Sequence, residues 1–471
     1  MALQFDNSYI RDLPGSFLRL APAVAPDPHL VILNDGLAGD LGLDPADLRR
    51  HGAAWFSGAA LPAGAEPVAL AYAGHQFGGF SPQLGDGRAH LLGEILGPDQ
   101  RRWDVQLKGS GRTPFSRGGD GKAAIGPMLR EYLISEAMAA LNVPTTRSLA
   151  VVLTGETVWR EAGGLPGAVV ARVAASHIRV GTFQFFAARG EAAAVRRLAD
   201  YTIARHYPGA LTAENPYVAL FQAVVAAQCR LIAHWMGLGF VHGVMNTDNM
   251  ALSGETIDYG PCAFMEAYAP GTVFSSIDRQ GRYAYGNQPL ILGWNLARLA
   301  ECLLPLFDAD EARAVEVANG MLGGIAGQYR AEWLAVMRAK LGLPDAQDGD
   351  GALIDDLLAA MVGADWTLVF HRLGDEALLR PLFDDFTAMQ AWLPRWRARR
   401  SADWSARMGR VNPSVIPRNH QVEAALEAAT AGDMAPFLAL LAAVTLPFVE
   451  REGYMLPAPS EFGEYVTFCG T

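Results

Sequence analysis

Phe240 to Gly260 reads FVHGVMNTDNMALSGETIDYG, and the order of its polar residues decides how the rest of the chain is read. A His-Gly pair opens a turn, Asp248-Asn249 follows, and Asp258-Tyr259-Gly260 stands nine residues after the Asn. Asn249 and Asp258 offer oxygen donors of the type Mg²⁺ prefers, with phosphate and water left to complete its shell. Alone, an Asn followed by an Asp is a turn. Here a long amphipathic helix precedes it, ENPYVALFQAVVAAQCRLIAHWMG (214–237), so the donors stand in a loop that leaves a helix end.

Protein kinases build their phosphotransfer loop as H-x-D-x-x-x-x-N followed by Asp-Phe-Gly. His242, Gly243, Val244 and Asn249 fill the first set of slots, and Asp258-Tyr259-Gly260 fills the second. The residue that should accept the substrate proton is Val244, which cannot. Losing a general base typically costs about two to four orders of magnitude in rate. Asp248 is the carboxylate inside the loop that could replace it; its plain reading is a turn residue or an outer-sphere ligand.

Upstream, the pattern is strand and turn. Residues 89–96 and 101–108 read as two strands joined by Gly97-Pro98-Asp99-Gln100. The second alternates: Trp103, Val105 and Leu107 share one face, Asp104, Gln106 and Lys108 the other. Lys108 is one of only three lysines among 38 basic residues, which singles it out as a phosphate-binding ammonium, against the plainer reading of a lysine snorkelling at a sheet edge. Glu131, on a helix expected from about 127 to 141, is its acidic partner, with Glu136 the competing candidate on a different face. The glycines of Gly85-Asp86-Gly87-Arg88 and of the loop 109–121 let backbone approach phosphates, though a hairpin turn asks for the same residues. Arg172 and Arg179 lie seven apart on a strand-rich segment (167–181). An odd spacing within one strand puts them on opposite faces, so a turn or bulge between them is required if both serve one site.

The bulk numbers bound the rest. A chain of 471 residues with 51% hydrophobic and 18% charged residues is a folded globular protein. A net charge of −11 and the lack of a basic run argue against broad nucleic-acid binding. The run FLALLAAVTLPFV (437–449) is too short to span a bilayer. With no signal sequence apparent and four cysteines without a C-x-x-C pair, a cytoplasmic, reducing, bacterial setting is expected. The rest of the chain reads as mainly helical, including 291–307 and 423–444. The expected fold class is α+β: a small strand-rich lobe, then a large helical one.

At this point the chain resembles the selenoprotein-O family of pseudokinases. The likeness is carried by YAGHQFGGFSPQLGDGRA, LKGSGRTPFSRGGDGKAA, REYLISEAM, ARVAASHIRVGTFQFF, VHGVMNTDNM, TIDYGPCAFM and NPSVIPRNHQVE. The resemblance implies a protein-kinase-like two-lobed fold that binds ATP in reversed orientation. It implies transfer of AMP to hydroxyl side chains of proteins; UMP transfer from UTP is also attributed to the family. Residues 1–65 would then be an N-terminal extension, 66–185 the N-lobe, 186–310 the C-lobe and 311–471 a helical C-terminal region. The resemblance assigns Gly85, Gly87, Arg88, Lys108, Asp120, Gly121, Arg172, Arg179 and Asp258 to the nucleotide. Glu131 would orient Lys108, Asn249 and Asp258 would hold Mg²⁺ or Mn²⁺, and Asp248 would be the base. Some members carry selenocysteine third from the end, where this chain has Cys469; Cys262 is its possible redox partner. Protein substrates, no nucleic acid, no membrane and a monomer are expected. Two other readings stay open: a nucleotide-binding scaffold without activity, and a phosphotransferase that uses Asp248 as base.

Overall fold

Alternation in the sequence around Lys108 becomes the centre of a sheet. The structure is a computed structural model that describes residues 3–161 and 163–468. Its strands are β1 (Phe17–Arg19), β2 (His29–Leu33), β3 (Val68–Leu70), β4 (Gly74–Gln76), β5 (Gly79–Ser81), β6 (Ala89–Leu96), β7 (Arg102–Lys108), β8 (Ala123–Ala124), β9 (Arg147–Arg160), β10 (Gly163–Ala174), β11 (Phe240–Val241) and β12 (Ala263–Phe264). The main sheet runs β1-β3-β6-β7-β10-β9-β2, with β8 paired to β10, and its pairings are antiparallel. β6 and β7 form the expected hairpin, closed by Gly97 N donating to Arg101 O at 2.9 Å. The strand 147–160 was not among the expected elements, yet it pairs along β10 to make the longest hairpin of the sheet.

The polar face of β7 is not a water face. Asp104, Gln106 and Lys108 are as buried as Val105 and Leu107 opposite them. A period of two reports polarity, and here the polar side is covered by other buried polar groups.

The helix Ile125–Ala140 begins two residues ahead of Pro127 and lies on the sheet. Its apolar face (Met128, Leu129, Tyr132, Leu133) meets Val151 and Val170 of the sheet, and also Val422, Leu426, Phe437 and Leu440 from the far end of the chain. The stretch 423–444 is two helices, Asn419–Thr430 and Ala435–Val444. Gly432 at φ 101° breaks them, and Asp433 Oδ1 accepts from Ala435 N (2.9 Å) to start the second.

The large helical part is built on Pro216–Leu238, Gln288–Phe307 and Glu311–Lys340. Asn215 caps the first, accepting from Tyr217 N (2.9 Å) and Val218 N (3.2 Å), and Gly239 ends it at φ 71°. Two helices, Pro216–Leu238 and Tyr285–Phe307, are long and apolar enough to cross a membrane by length and composition, but half or more of each such window is buried inside the protein. β11 and β12 pair with each other and pinch together the loop from His242 to Cys262.

Candidate functional site

Between the sheet and this pinched loop lies a cleft of about 420 Å³. Gly85, Gly87, Arg88, Lys108, Asp120, Gly121, Arg172, Arg179, Asp248, Asn249 and Asp258 all line it, and so does Val244. Glu131 stands behind Lys108, buried on the helix that crosses the sheet.

Lys108, at the end of β7, forms ion pairs with both Glu131 and Asp258. Glu136 is committed elsewhere, accepting from Arg147 Nε (2.8 Å) and Nη2 (2.6 Å). Five residues on a helix turn a side chain to another face, and Lys108 meets the nearer carboxylate. Arg172 Nη1 donates to Glu131 Oε1 at 3.0 Å, and its Nη2 to Gln106 Oε1 at 2.6 Å. Gln106 in turn donates to Asp86 Oδ2 (2.8 Å). Burial raises the Asp86 carboxyl above its ordinary range, against the pull of Arg179 and Arg172.

Asp258 holds a left-handed backbone, φ 69°, a conformation uncommon outside glycine. Burial would push its carboxyl up, but Lys108 and Arg172 outweigh that and hold it far below the usual carboxylate range. Asn249 donates from Nδ2 to Val244 O (3.1 Å), which leaves its carbonyl oxygen for the cleft. Among the described residues no cluster of three or more His, Cys, Asp or Glu could hold a metal. A cation at this point of the cleft would find one amide oxygen (Asn249) and the Asp258 carboxylate, and would need phosphates and water to complete its shell.

β10 ends at Ala174, so the turn that must separate the two arginines is present. Arg179 sits at the start of the helix Val180–Ala187. It donates to His177 O (3.2 Å) and to Asp248 O (3.1 Å), and its guanidinium lies 4.3 Å from the centre of the Tyr72 ring. Its Nη2 is buried without a partner among the described residues, and so is Asp248 Oδ1. The other Asp248 oxygen accepts from Gln76 Nε2 at 3.3 Å. Burial pushes the Asp248 carboxyl up to about 6.

The glycines answer to packing as well as to any ligand. Gly85, at φ 135°, has the Phe115 ring where a Cβ would go, and Gly121, at φ 70°, has the Gly111 carbonyl there. A Cβ on Gly74 would stand 2.7 Å from Asp248 Oδ1. Asp120 lies at the mouth, accepting from Arg160 Nη1 (2.9 Å) and Lys122 N (2.9 Å).

Gln76, Phe77, Asn246 and Tyr72 also line the cleft, and sequence reasoning gave them no role. The nearest signal was the block YAGHQFGG, whose glycines mark a tight turn without saying where it points. Cys262 is buried, and burial pushes its thiol up to about 11. Cys469 lies outside the described residues.

The sequence profile of the family described as protein adenylyltransferase SelO matches residues 1–445. A protein nucleotidyltransferase YdiU of Cereibacter sphaeroides is 62% identical, with 100% of each chain covered. Proteins of the same name from Mycolicibacterium paratuberculosis and Rhizobium johnstonii are 58% and 56% identical, covering 100% of this chain and 98% of theirs.

Proposed function

This chain belongs to the protein adenylyltransferase SelO family, and from that premise we propose that its cleft transfers AMP from ATP to hydroxyl side chains of proteins with release of pyrophosphate. It is a nucleotidyltransferase, with a nucleoside triphosphate as donor and protein as acceptor. UMP from UTP is the second donor reading. We read the strand-rich part (66–185) and the helical part (186–310) as the two lobes of a protein-kinase-like fold, with 1–65 and 311–471 as extensions.

One observation carries the proposal. Arg179 and Asp248 both line the cleft and are tied to each other through the Asp248 carbonyl, and each keeps a buried polar atom without a partner among the described residues. Attack on an α-phosphorus needs such a pair: an oxygen to take the incoming hydroxyl's proton, and an N–H for phosphate charge. The acceptor hydroxyl gives its proton to Asp248 as its oxygen bonds to the α-phosphorus. The bond from that phosphorus to the bridging oxygen breaks, and the electron pair leaves with pyrophosphate. Arg172, Arg179 and Lys108 meet the charge that grows on the leaving group. A carboxyl held near 6 by burial sits close enough to neutrality to accept a proton in the reaction and lose it afterwards.

Asn249 and Asp258 would hold the metal, and a bound Mg²⁺ or Mn²⁺ would neutralise part of the triphosphate charge. We propose that ATP lies reversed relative to a kinase, so that its α-phosphorus comes beside Asp248. The position taken by Val244 then needs no proton acceptor.

The test is a paired labelling assay with extract proteins as acceptors. Label transferred from α-labelled ATP alone, and lost in Asp258→Ala, supports AMP transfer. Label from γ-labelled ATP alone would make the protein a phosphotransferase. ATP binding without transfer of either label would leave a scaffold.

A further inference from the structure

The hairpin β4–β5 carries an oddity that phosphate chemistry does not use. Phe77, at its tip, holds φ 51°, a left-handed conformation that is strained for a bulky residue. Two bonds keep it there: Phe77 N donates to Asn246 Oδ1 (3.1 Å) and to Tyr283 Oη (3.2 Å). The Phe77 ring packs on Tyr283, centroids 5.0 Å apart. The side chain nevertheless stays 37% exposed and lines the cleft. It directly follows Gln76, the residue bonded to Asp248. Ile277 lines the same cleft from another segment and is 52% exposed.

The surroundings are basic. Arg117 lines the cleft, is exposed, and donates from Nη1 to Gln76 Oε1 at 3.4 Å; Arg279, also exposed, follows Ile277 by two residues. The Arg282 guanidinium lies under the hairpin tip, 3.7 Å from where a Cβ on Gly78 would be. Two of the acids there are bonded. Asp278 is buried, accepting from Arg282 N (2.9 Å) and Tyr283 N (2.7 Å), and Asp120 is held by Arg160. On a chain of net charge −11, this rim sets two exposed apolar side chains beside a group of arginines.

We propose that the rim is the acceptor subsite, and that it takes a polypeptide segment whose hydroxyl residue is flanked by an apolar side chain and by acidic residues. The inference rests on the nucleotide-transfer reading and narrows which polypeptides it acts on. The apolar flank covers Phe77 and Ile277, the acidic flank meets Arg117, Arg279 and Arg282, and the hydroxyl reaches Asp248.

The experiment measures transfer from α-labelled ATP to synthetic serine peptides, one with leucine and aspartate flanks, one with glycine flanks and one with lysine flanks. The leucine–aspartate peptide should show a KM lower by about tenfold than the glycine one, and added salt should narrow the gap. Phe77→Gly relieves the backbone strain, so it should keep or raise Tm. It should also raise the KM for that peptide about tenfold, a larger change than any in the KM for ATP. Arg279→Ala should move the peptide KM in the same direction. An unchanged peptide KM in Phe77→Gly, or a preference for lysine flanks, overturns the subsite while the transfer reading stands. Wild-type protein that labels extract proteins but no peptide also overturns it. Wild-type protein that labels nothing overturns both.

Discussion

The polar face of β7 carries two buried clusters of charge, and they are finished differently. At one end Asp104 accepts from His177 N (2.9 Å), His177 Nδ1 (2.8 Å) and Arg205 Nη2 (2.6 Å). Arg205 also pairs with Glu94 and donates to Ala175 O (2.9 Å). Glu94 accepts further from Ser8 Oγ (2.6 Å), Tyr9 N (2.7 Å) and Tyr201 Oη (2.6 Å). Every carboxylate oxygen and guanidinium nitrogen of those three residues is used, and what is left over among the described residues at this end is a ring nitrogen, His177 Nε2, not a charged group. At the other end, around Lys108 and Arg179, Asp248 Oδ1 and Arg179 Nη2 are left over. Buried charge is costly unless it is paired, so the closed end serves the loop 175–179 that positions Arg179, while the open end leaves a donor and an acceptor unpaired in residues that line the cleft.

Exchanging single charges separates the two ends. Asp248→Asn should lower AMP transfer by about 10²–10⁴-fold with Tm unchanged or raised, because Oδ1 has no protein partner to lose; the α-label assay and a melting curve read the two quantities. Asp104→Asn should do the reverse. It leaves Arg205 without half of its charge partners, and urea unfolding should show a loss of about 3–5 kcal/mol, with the activity of the folded fraction falling far less than in Asp248→Asn. Gly74→Ala tests how tightly the open end is framed. Its Cβ would meet Asp248 Oδ1 at 2.7 Å, so it should depress turnover more than stability, by a strain of about 1–3 kcal/mol.

A third buried charge extends the comparison to the helical part. Lys340 is buried, donates to Asn412 Oδ1 (2.9 Å), and has the Phe370 ring 4.2 Å from Nζ. Burial pushes its ammonium down to about 7 from the ordinary 10.5. The unfolded chain therefore binds the proton more tightly, so this group's contribution is full above pH 10.5 and is lost as pH falls to about 7. Lys340→Met should stabilise by on the order of 1 kcal/mol at pH 7, and the gain should vanish near pH 10.5. Melting curves across that window measure it.

Much of the open end was legible. Lys108 sits on an alternating strand, Glu131 rather than Glu136 faces it, and the odd spacing of Arg172 and Arg179 required the turn that follows Ala174. Each depends on local periodicity. What escaped depends on distance. Alternation marks Asp104, Gln106 and Lys108 as polar but cannot say that His177, Arg172 and Glu131 will cover them. Gln76 reaches Asp248 from far along the chain, and a tight turn in YAGHQFGG carries no hint of that contact. The strand 147–160 was missed, and the break at Gly432-Asp433 was read through, because an alanine-rich run on either side looks like one helix.

The first strands of the chain close both edges of the main sheet: β1 on β3, and β2 on β9. On a ribosome this imposes a waiting time. β2 is complete at Leu33, but its partner is not finished until Arg160, an interval of roughly ten seconds at ordinary synthesis rates. During it HLVIL is an unpaired apolar strand on a nascent chain, the kind of edge that recruits other strands. β2 thus waits while β1, made before it, already has its partner at Leu70, and a nascent chain stalled before Arg160 is a species open to aggregation or chaperone capture.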